Sequence, residues 1–226
     1  MTDASSDGSQ EPEFITAFDP HYGRAVEVSP GILRVTANNP SPFTFVGTNS
    51  YVVGEEGRCF VVDPGPADEA HLAALLDAVG GRPVEAVVLT HSHSDHSALA
   101  NEFSSRVSAP LCGARPAAVA EGEAFHRLDA TTESGIAYSR HLEDGETLHL
   151  GGFAVEVVAT PGHASDHVAL ALPEVGILLS GDHVMAWSTS VVAPPDGAMG
   201  DYMASLQRLL ARRESRYLPG HGGPVE

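Results

Sequence analysis

Three imidazoles and a carboxylate fall within six residues at His91-Ser92-His93-Ser94-Asp95-His96, directly after the apolar run Val84-Glu85-Ala86-Val87-Val88-Leu89-Thr90. Histidine supplies only 12 of 226 residues, and packing alone would require every ring of this cluster to find solvent or a partner at once. Metal coordination explains the cluster better. In a regular helix positions i and i+2 point apart, so the set belongs on a tight loop leaving a strand end, where irregular backbone turns several side chains toward one point.

Three more chain segments end an apolar run in a histidine or carboxylate: His163 in Thr160-Pro161-Gly162-His163, Asp182 in Ser180-Gly181-Asp182-His183, and His221 in Leu218-Pro219-Gly220-His221-Gly222. Imidazole and carboxylate donors without a thiolate suit zinc best, with manganese or iron as alternatives. His91, His93 and a distant histidine give one ion three nitrogens; Asp95, His96 and His221 serve a second, and Asp182 bridges. Two Zn2+ per chain, at roughly 3.5 to 4 Å from each other, would hold a bridging hydroxide as nucleophile and stabilise the charge that develops during hydrolysis. Asp95 and Asp182 are then catalytic carboxylates as well as ligands.

The elements that must position these groups alternate. Residues 31–36, 48–53 and 58–63 read as strands, the last two as a hairpin around Gly54-Glu55-Glu56-Gly57. A helix is predicted from Asp68 to Ala78, stopped by Gly80-Gly81, and another from Ser97 to Val107. Short strands follow at 109–112, 146–150, 153–158, 168–172 and 175–179, then a helix from Tyr202 to Arg212 and a last strand running into His221. Strand, helix, strand alternation indicates a layered α/β architecture. Periodicity is weak between Ala114 and Ser139, and no structure is predicted there.

Composition narrows the function. The formal charge is -18, from 30 acidic and 12 basic residues, which disfavours long-range attraction to nucleic acid or an anionic membrane, and no DNA partner is expected. Every basic residue is arginine, so a lysine Schiff base and a lysine P-loop are excluded. Cys59 and Cys112 read as two small buried thiols rather than a disulfide framework. Residues 1–13 read as a disordered leader with neither basic nor apolar signal regions, ahead of one hydrolase domain over 14–226, and a cytoplasmic location is expected.

The order His91-x-His93-x-Asp95-His96, Pro-Gly-His163, Gly-Asp182, Pro-Gly-His221-Gly resembles the metallo-β-lactamase superfamily over residues 48–222. Within it, Gly47-Thr48-Asn49-Ser50-Tyr51, the segment from Thr160 to His167 and the helix beginning Asp201-Tyr202-Met203 resemble the lactamase-β-like endoribonuclease group. The resemblance implies an αββα sandwich of two mixed sheets, two zinc ions and hydrolysis, and a helical region after the last histidine, beyond which five residues follow here. Two substrate classes are expected under it: single-stranded RNA or a similar phosphodiester, and alternatively a small ester or thioester, as in glyoxalase II. A β-lactamase and a non-catalytic binding protein rank below both.

Further residues are assigned around the ligands. Asp63, which closes a strand, Asn49 and His167 are candidates for supporting the ligands or touching substrate. His183 is expected to point to the opposite face of a continuing strand, and Trp187 to lie in the core. Arg208, Arg212, Arg213 and Arg216 form the dense basic cluster, read as a solvated helix face ahead of phosphate contact. His21, His71, His126, His141 and His149 have no partners at metal spacing.

Overall fold

The computed structural model describes residues 13–55, 57–115, 132 and 135–226. The expected leader, apart from Glu13, and His126 lie outside the described residues, as does Glu56 of the hairpin turn. In chain order the elements are β1 (Val26–Ser29), β2 (Ile32–Thr36), β3 (Asn49–Val53), β4 (Cys59–Val62), α1 (Glu69–Val79), β5 (Val84–Val88), α2 (Ser94–Ser97), α3 (Ala100–Val107) and β6 (Leu111–Gly113). There follow β7 (Arg140–His141), β8 (Thr147–Leu150), β9 (Phe153–Ala159), β10 (Val168–Leu172), β11 (Ile177–Gly181), α4 (Met199–Leu210) and β12 (Arg216–Pro219).

Two mixed sheets result, one ordered β1-β2-β3-β4-β5-β6-β7 and the other β12-β11-β10-β9-β8. Period-2 alternation decides which side chains fill which layer. Phe60 and Val62 of β4 and Val168, Leu170 and Leu172 of β10 meet between the sheets. Their neighbours Cys59 and Val61 face outward to Leu72 and Leu75 of α1 and Phe103 of α3. On the other side Ala169 and Ala171 turn outward to Leu209 of α4, with small residues leaving room for the helix. The architecture is the expected αββα sandwich.

Helix signals act where they were read. Asp68 caps α1 by accepting from the His71 backbone N–H, and Gly80 ends it in the left-handed conformation. The helix expected over 97–107 is broken into α2 and α3, because Ala98 and Leu99 interrupt it and the first turn is given to Asp95 and His96. Strands β1 and β7 were not foreseen: β1 is half-exposed at the sheet edge and β7 is two residues long, so neither carries enough alternation to read. Among the described residues no helix is long and apolar enough to cross a membrane.

Candidate metal centre

Every chemistry-bearing residue leaves the same edge of the sandwich. His91 and His93 follow β5, His163 follows β9, Asp182 follows β11 directly and His221 follows β12. The expected loop holds only the first half of the His-rich motif; Asp95 and His96 sit on the single turn of α2, whose N-cap is His93. Glycine permits the convergence. A Cβ on Gly220 would stand 2.3 Å from Asp182 Oδ1 and 2.6 Å from His96 Cε1, so only hydrogen fits there.

The side chains gather into three overlapping groups, His91 with His93 and His163, His91 with His96 and Asp182, and Asp95 with His96 and His221, the candidate ligand atoms of each lying within 4.8 Å of one another. In the first group His93 Nδ1 is 3.1 Å from His91 Nε2 and 3.0 Å from His163 Nε2. In the last, Asp95 Oδ2 is 3.3 Å from both His96 Nε2 and His221 Nε2. Asp182 lies between, with Oδ1 3.4 Å from His96 Nε2, and Oδ2 3.2 Å from His221 Nε2 and 3.7 Å from His163 Nε2.

Each of the five converging histidines has an oxygen at its other ring nitrogen. His91 Nδ1 donates to Thr90 Oγ1 at 3.0 Å, whose own hydroxyl donates to Asp63 Oδ2 at 2.7 Å. His96 Nδ1 donates to Asp63 Oδ2 at 3.0 Å, His163 Nδ1 to the Val191 carbonyl at 2.6 Å and His221 Nδ1 to the Gly47 carbonyl at 3.1 Å. His93 Nε2 faces Asp196 Oδ2 at 3.4 Å. With the proton fixed on the outer nitrogen, a neutral ring presents a bare lone pair inward. Three such lone pairs at 3.0 and 3.1 Å repel unless a cation sits among them. Tetrahedral zinc with Zn–N near 2.0–2.1 Å spaces its nitrogens roughly 3.3 Å apart, close to what is observed. His96 Nε2 and Asp182 Oδ1 are also buried with no hydrogen-bond partner among the described residues. The donor set therefore fits two divalent ions.

Electrostatics divides the cluster. Burial, then the neighbouring His96 and His93, keeps His91 well below its ordinary value, and burial lowers His163 too, so these two rings favour the neutral form. Burial also opposes charge on His96, but Asp95 and Asp182 outweigh it and hold the ring well above its usual range. His221 is pushed up to about 9 against burial by Asp182 and Asp95. Burial would raise both carboxyls, yet His221 and His96 hold Asp182, and His96 and His221 hold Asp95, well below the carboxylate range. A cation among Asp95, His96 and His221 would supply the positive charge these carboxylates otherwise draw from protons.

The supporting residues contact the converging side chains or the turns that carry them. Asp63 accepts from the Thr90 backbone N–H and hydroxyl and from His96, so it holds two rings at once. Asn49 donates to the Pro219 and Gly222 carbonyls at 3.0 and 2.9 Å, clamping the turn that carries His221. His167 receives the Asp182 backbone N–H at Nε2, 3.1 Å away, and its Nδ1 meets Thr160 Oγ1. Sequence reasoning missed three others. Thr48 donates to Asp95 Oδ2 at 3.2 Å; Thr90 and Asp196 act as above. Adjacency to Asn49 and His91 was the only signal for the two threonines, and Asp196 had none.

Two expectations are corrected. β11 ends at Gly181, so His183 stands on a turn rather than a continuing strand; it is wholly buried against His167 and Tyr202. Trp187 is half-buried outside the core, stacked on Phe45 with ring centroids 4.9 Å apart. The basic cluster is largely spent on carboxylates: Arg208 pairs with Asp144, Arg212 with Glu156 and Glu214, and Arg216 with Glu226. A cavity of about 190 Å3 opens onto the centre, floored by His93, Asp95, His163, Asp182 and His221. Its walls are Phe43, Met185 and Val191, with Ser41 and Thr44 beside them.

An αββα sandwich that gathers histidines and carboxylates from several strand ends at one edge is the scaffold of a class of metal-dependent hydrolases. The chain belongs to the metallo-beta-lactamase superfamily, whose sequence profile matches residues 43–221. It is 28% identical over 213 residues to the Beta-lactamase-like protein 2 homolog of Caenorhabditis elegans, covering 91% of this chain and 66% of that protein. It is 29% identical over 198 residues to the atrochrysone carboxyl ACP thioesterase dmxR1 of Cryptosporiopsis sp. (strain 8999), covering 87% and 55%. The structure of TTHA1623 in a di-iron-bound form superposes with a TM-score of 0.63 at 27% identity, covering 85% of this chain and 93% of that one. The chain thus spans 55 to 66% of the length of the first curated relatives it matches. These relatives are lactamase-like proteins and thioesterases, and they give no support to the endoribonuclease group in particular.

Proposed function

We propose that the chain is a dinuclear zinc hydrolase that cleaves thioesters, and by the same chemistry esters, of small apolar acyl groups. The carrying observation is the wall over the centre: Phe43, Met185 and Val191 line it, and among the described residues no arginine does. An acyl chain is at home there, whereas a polyanionic backbone would meet no cation from the protein. The arginine pairs with Asp144, Glu156, Glu214 and Glu226 weaken the RNA reading further, and a thioesterase stands among the relatives.

His91, His93 and His163 would hold one ion, Asp95, His96 and His221 the other, with Asp182 shared. Bound zinc supplies a nucleophile at neutral pH and draws electrons from the acyl oxygen. The residues do the rest. Water's oxygen joins the acyl carbon, the C–S bond breaks and the sulfur leaves with a proton. Asp95, which lines the cavity and is steadied by Thr48, is assigned to take the proton from water and return it to sulfur. Phe43, Met185 and Val191 exclude solvent from the acyl chain.

The test is one zinc-loaded sample assayed in parallel on an acyl-pantetheine thioester, a glutathione thioester, a bis-aryl phosphodiester, single-stranded RNA and a cephalosporin. Thioester turnover should dominate, and Asp182→Ala should abolish it while the protein stays folded. RNA cleavage without thioester turnover would overturn the assignment.

A further inference from the structure

Residues 184–198, the part of the β11–α4 connection that follows Asp182 and His183, touch the centre from outside the ligand set. Of the three histidines facing the first ion position, His91 is steadied from its own strand end by Thr90. The other two are steadied from this loop: His163 Nδ1 donates to the Val191 carbonyl at 2.6 Å, and His93 Nε2 faces Asp196 Oδ2 at 3.4 Å. Asp196 is itself held. Its Oδ1 accepts from the Ser165 backbone N–H at 3.0 Å and from the Ser165 hydroxyl at 2.7 Å, two residues beyond His163. Ser190 of the same loop donates to the backbone carbonyls of Asp182 and His183. The loop also forms one wall of the cavity, through Met185 and Val191.

We propose that Asp196 is a positioning residue for the ion held by His91, His93 and His163, and that the 184–198 loop couples occupancy of that position to the shape of the acyl wall. The inference rests on the dinuclear reading above. A carboxylate behind a ligating imidazole fixes its tautomer and raises its basicity, so His93 Nδ1 stays bare toward the ion. Once an ion fixes His93 and His163, their outer nitrogens in turn fix Asp196 and Val191, and the wall is ordered with them. Asp196 is 103 residues from His93 in the chain, so this tie closes a long excursion rather than a local turn.

Two measurements on the full chain test this, with zinc as the probe. Chelator competition should show two tight equivalents in the unaltered protein, and in Asp196→Asn one of them weakened by about 10- to 100-fold, the usual cost of losing such a partner. Backbone hydrogen exchange of residues 184–198 should slow on adding zinc, and this protection should shrink in Asp196→Asn. Ser165→Ala, which removes one hydrogen bond to Asp196 and leaves its charge, should give a smaller shift in the same direction. A purely structural role would lower the melting temperature and leave the affinity ratio between the two equivalents unchanged. If the unaltered protein takes up two equivalents and Asp196→Asn takes them up equally well, the inference fails and the dinuclear reading stands. If the unaltered protein takes up no zinc, both fail.

Discussion

Replacing Asp63 by Asn changes one oxygen to an amide nitrogen and, with it, which nitrogen of His96 carries a proton. Asp63 lies 2% exposed at φ 50, a left-handed conformation that Asn tolerates, so the backbone is not the issue. Its Oδ1 accepts the Thr90 backbone N–H at 2.7 Å; its Oδ2 accepts the Thr90 hydroxyl at 2.7 Å and His96 Nδ1 at 3.0 Å. An Asn must keep its oxygen toward the backbone N–H, since that donor cannot move its hydrogen, and its NH2 then confronts His96 Nδ1–H. No water can intervene at a ring with 0% exposure. In the neutral ring that an ion would require, the clash is relieved by placing the proton on Nε2, which points it at Asp95 Oδ2 and Asp182 Oδ1 and occupies the lone pair an ion needs. The expected loss is about 10- to 100-fold in affinity for the ion held by Asp95, His96 and His221, or roughly 1.4–2.7 kcal/mol. Folding should suffer less, because two of the three hydrogen bonds survive. Chelator competition on the two equivalents, beside a denaturant titration of the same variant, measures both. Undiminished affinity in a folded Asp63→Asn, or an equal loss at both ion positions, would refute the tautomer account.

Two other outcomes are expected. His71 is buried against Ser50 Oγ at 2.8 Å, and burial pushes its pKa down to about 4 from 6.5. Its neutral ring leaves stability intact above pH 6.5; as pH falls toward 4 the unfolded chain binds the proton first, and roughly 3 kcal/mol is lost before the effect levels off. Urea titrations from pH 7 to 4 should therefore show a shallower fall in His71→Gln than in the parent; parallel curves would contradict this. Gly220→Ala drives a methyl into Asp182 Oδ1 and His96 Cε1, and should cost about 1–3 kcal/mol of stability and displace at least one ion, checked by a melting curve and elemental analysis.

How much of this was legible in the sequence follows from what kind of atom does the work. Strands such as β4 and β10 were readable because strict alternation between two buried layers leaves apolar residues on both sides, bounded by turns. The residues that converge were readable because imidazoles and carboxylates after apolar runs have few other uses. The groups that steady them were readable only in part. Asp63 stood out by closing a strand, but the Val191 and Gly47 carbonyls that hold His163 and His221 are backbone atoms, which every residue carries and no sequence pattern marks. Asp196, in a Pro-Pro-Asp-Gly turn, looks like any turn former until the fold sets it against His93. RNA ranked first on sequence because the segments around Asn49, His163 and Tyr202 resemble the endoribonuclease group, and short motifs around shared ligands carry no record of the pocket wall; the fold adds that carboxylates occupy most of the C-terminal arginines.

The same distinction separates what can change from what cannot. Val191 uses its carbonyl to hold His163 and its side chain to line the cavity, so the two roles sit on different atoms of one residue. Any side chain at 191 leaves the carbonyl in place, and substrate preference can drift there while the ion position is kept. Phe43 and Met185 are freer still, since among the described residues neither bonds a converging histidine even through its backbone. Asp196 has no such freedom, because the carboxylate that faces His93 is the side chain itself. Variation in the acyl pocket should therefore concentrate at 43, 185 and 191. If a change at 196 reaches the wall through the ion position, its effect on substrate choice should disappear when zinc is supplied at saturating concentration.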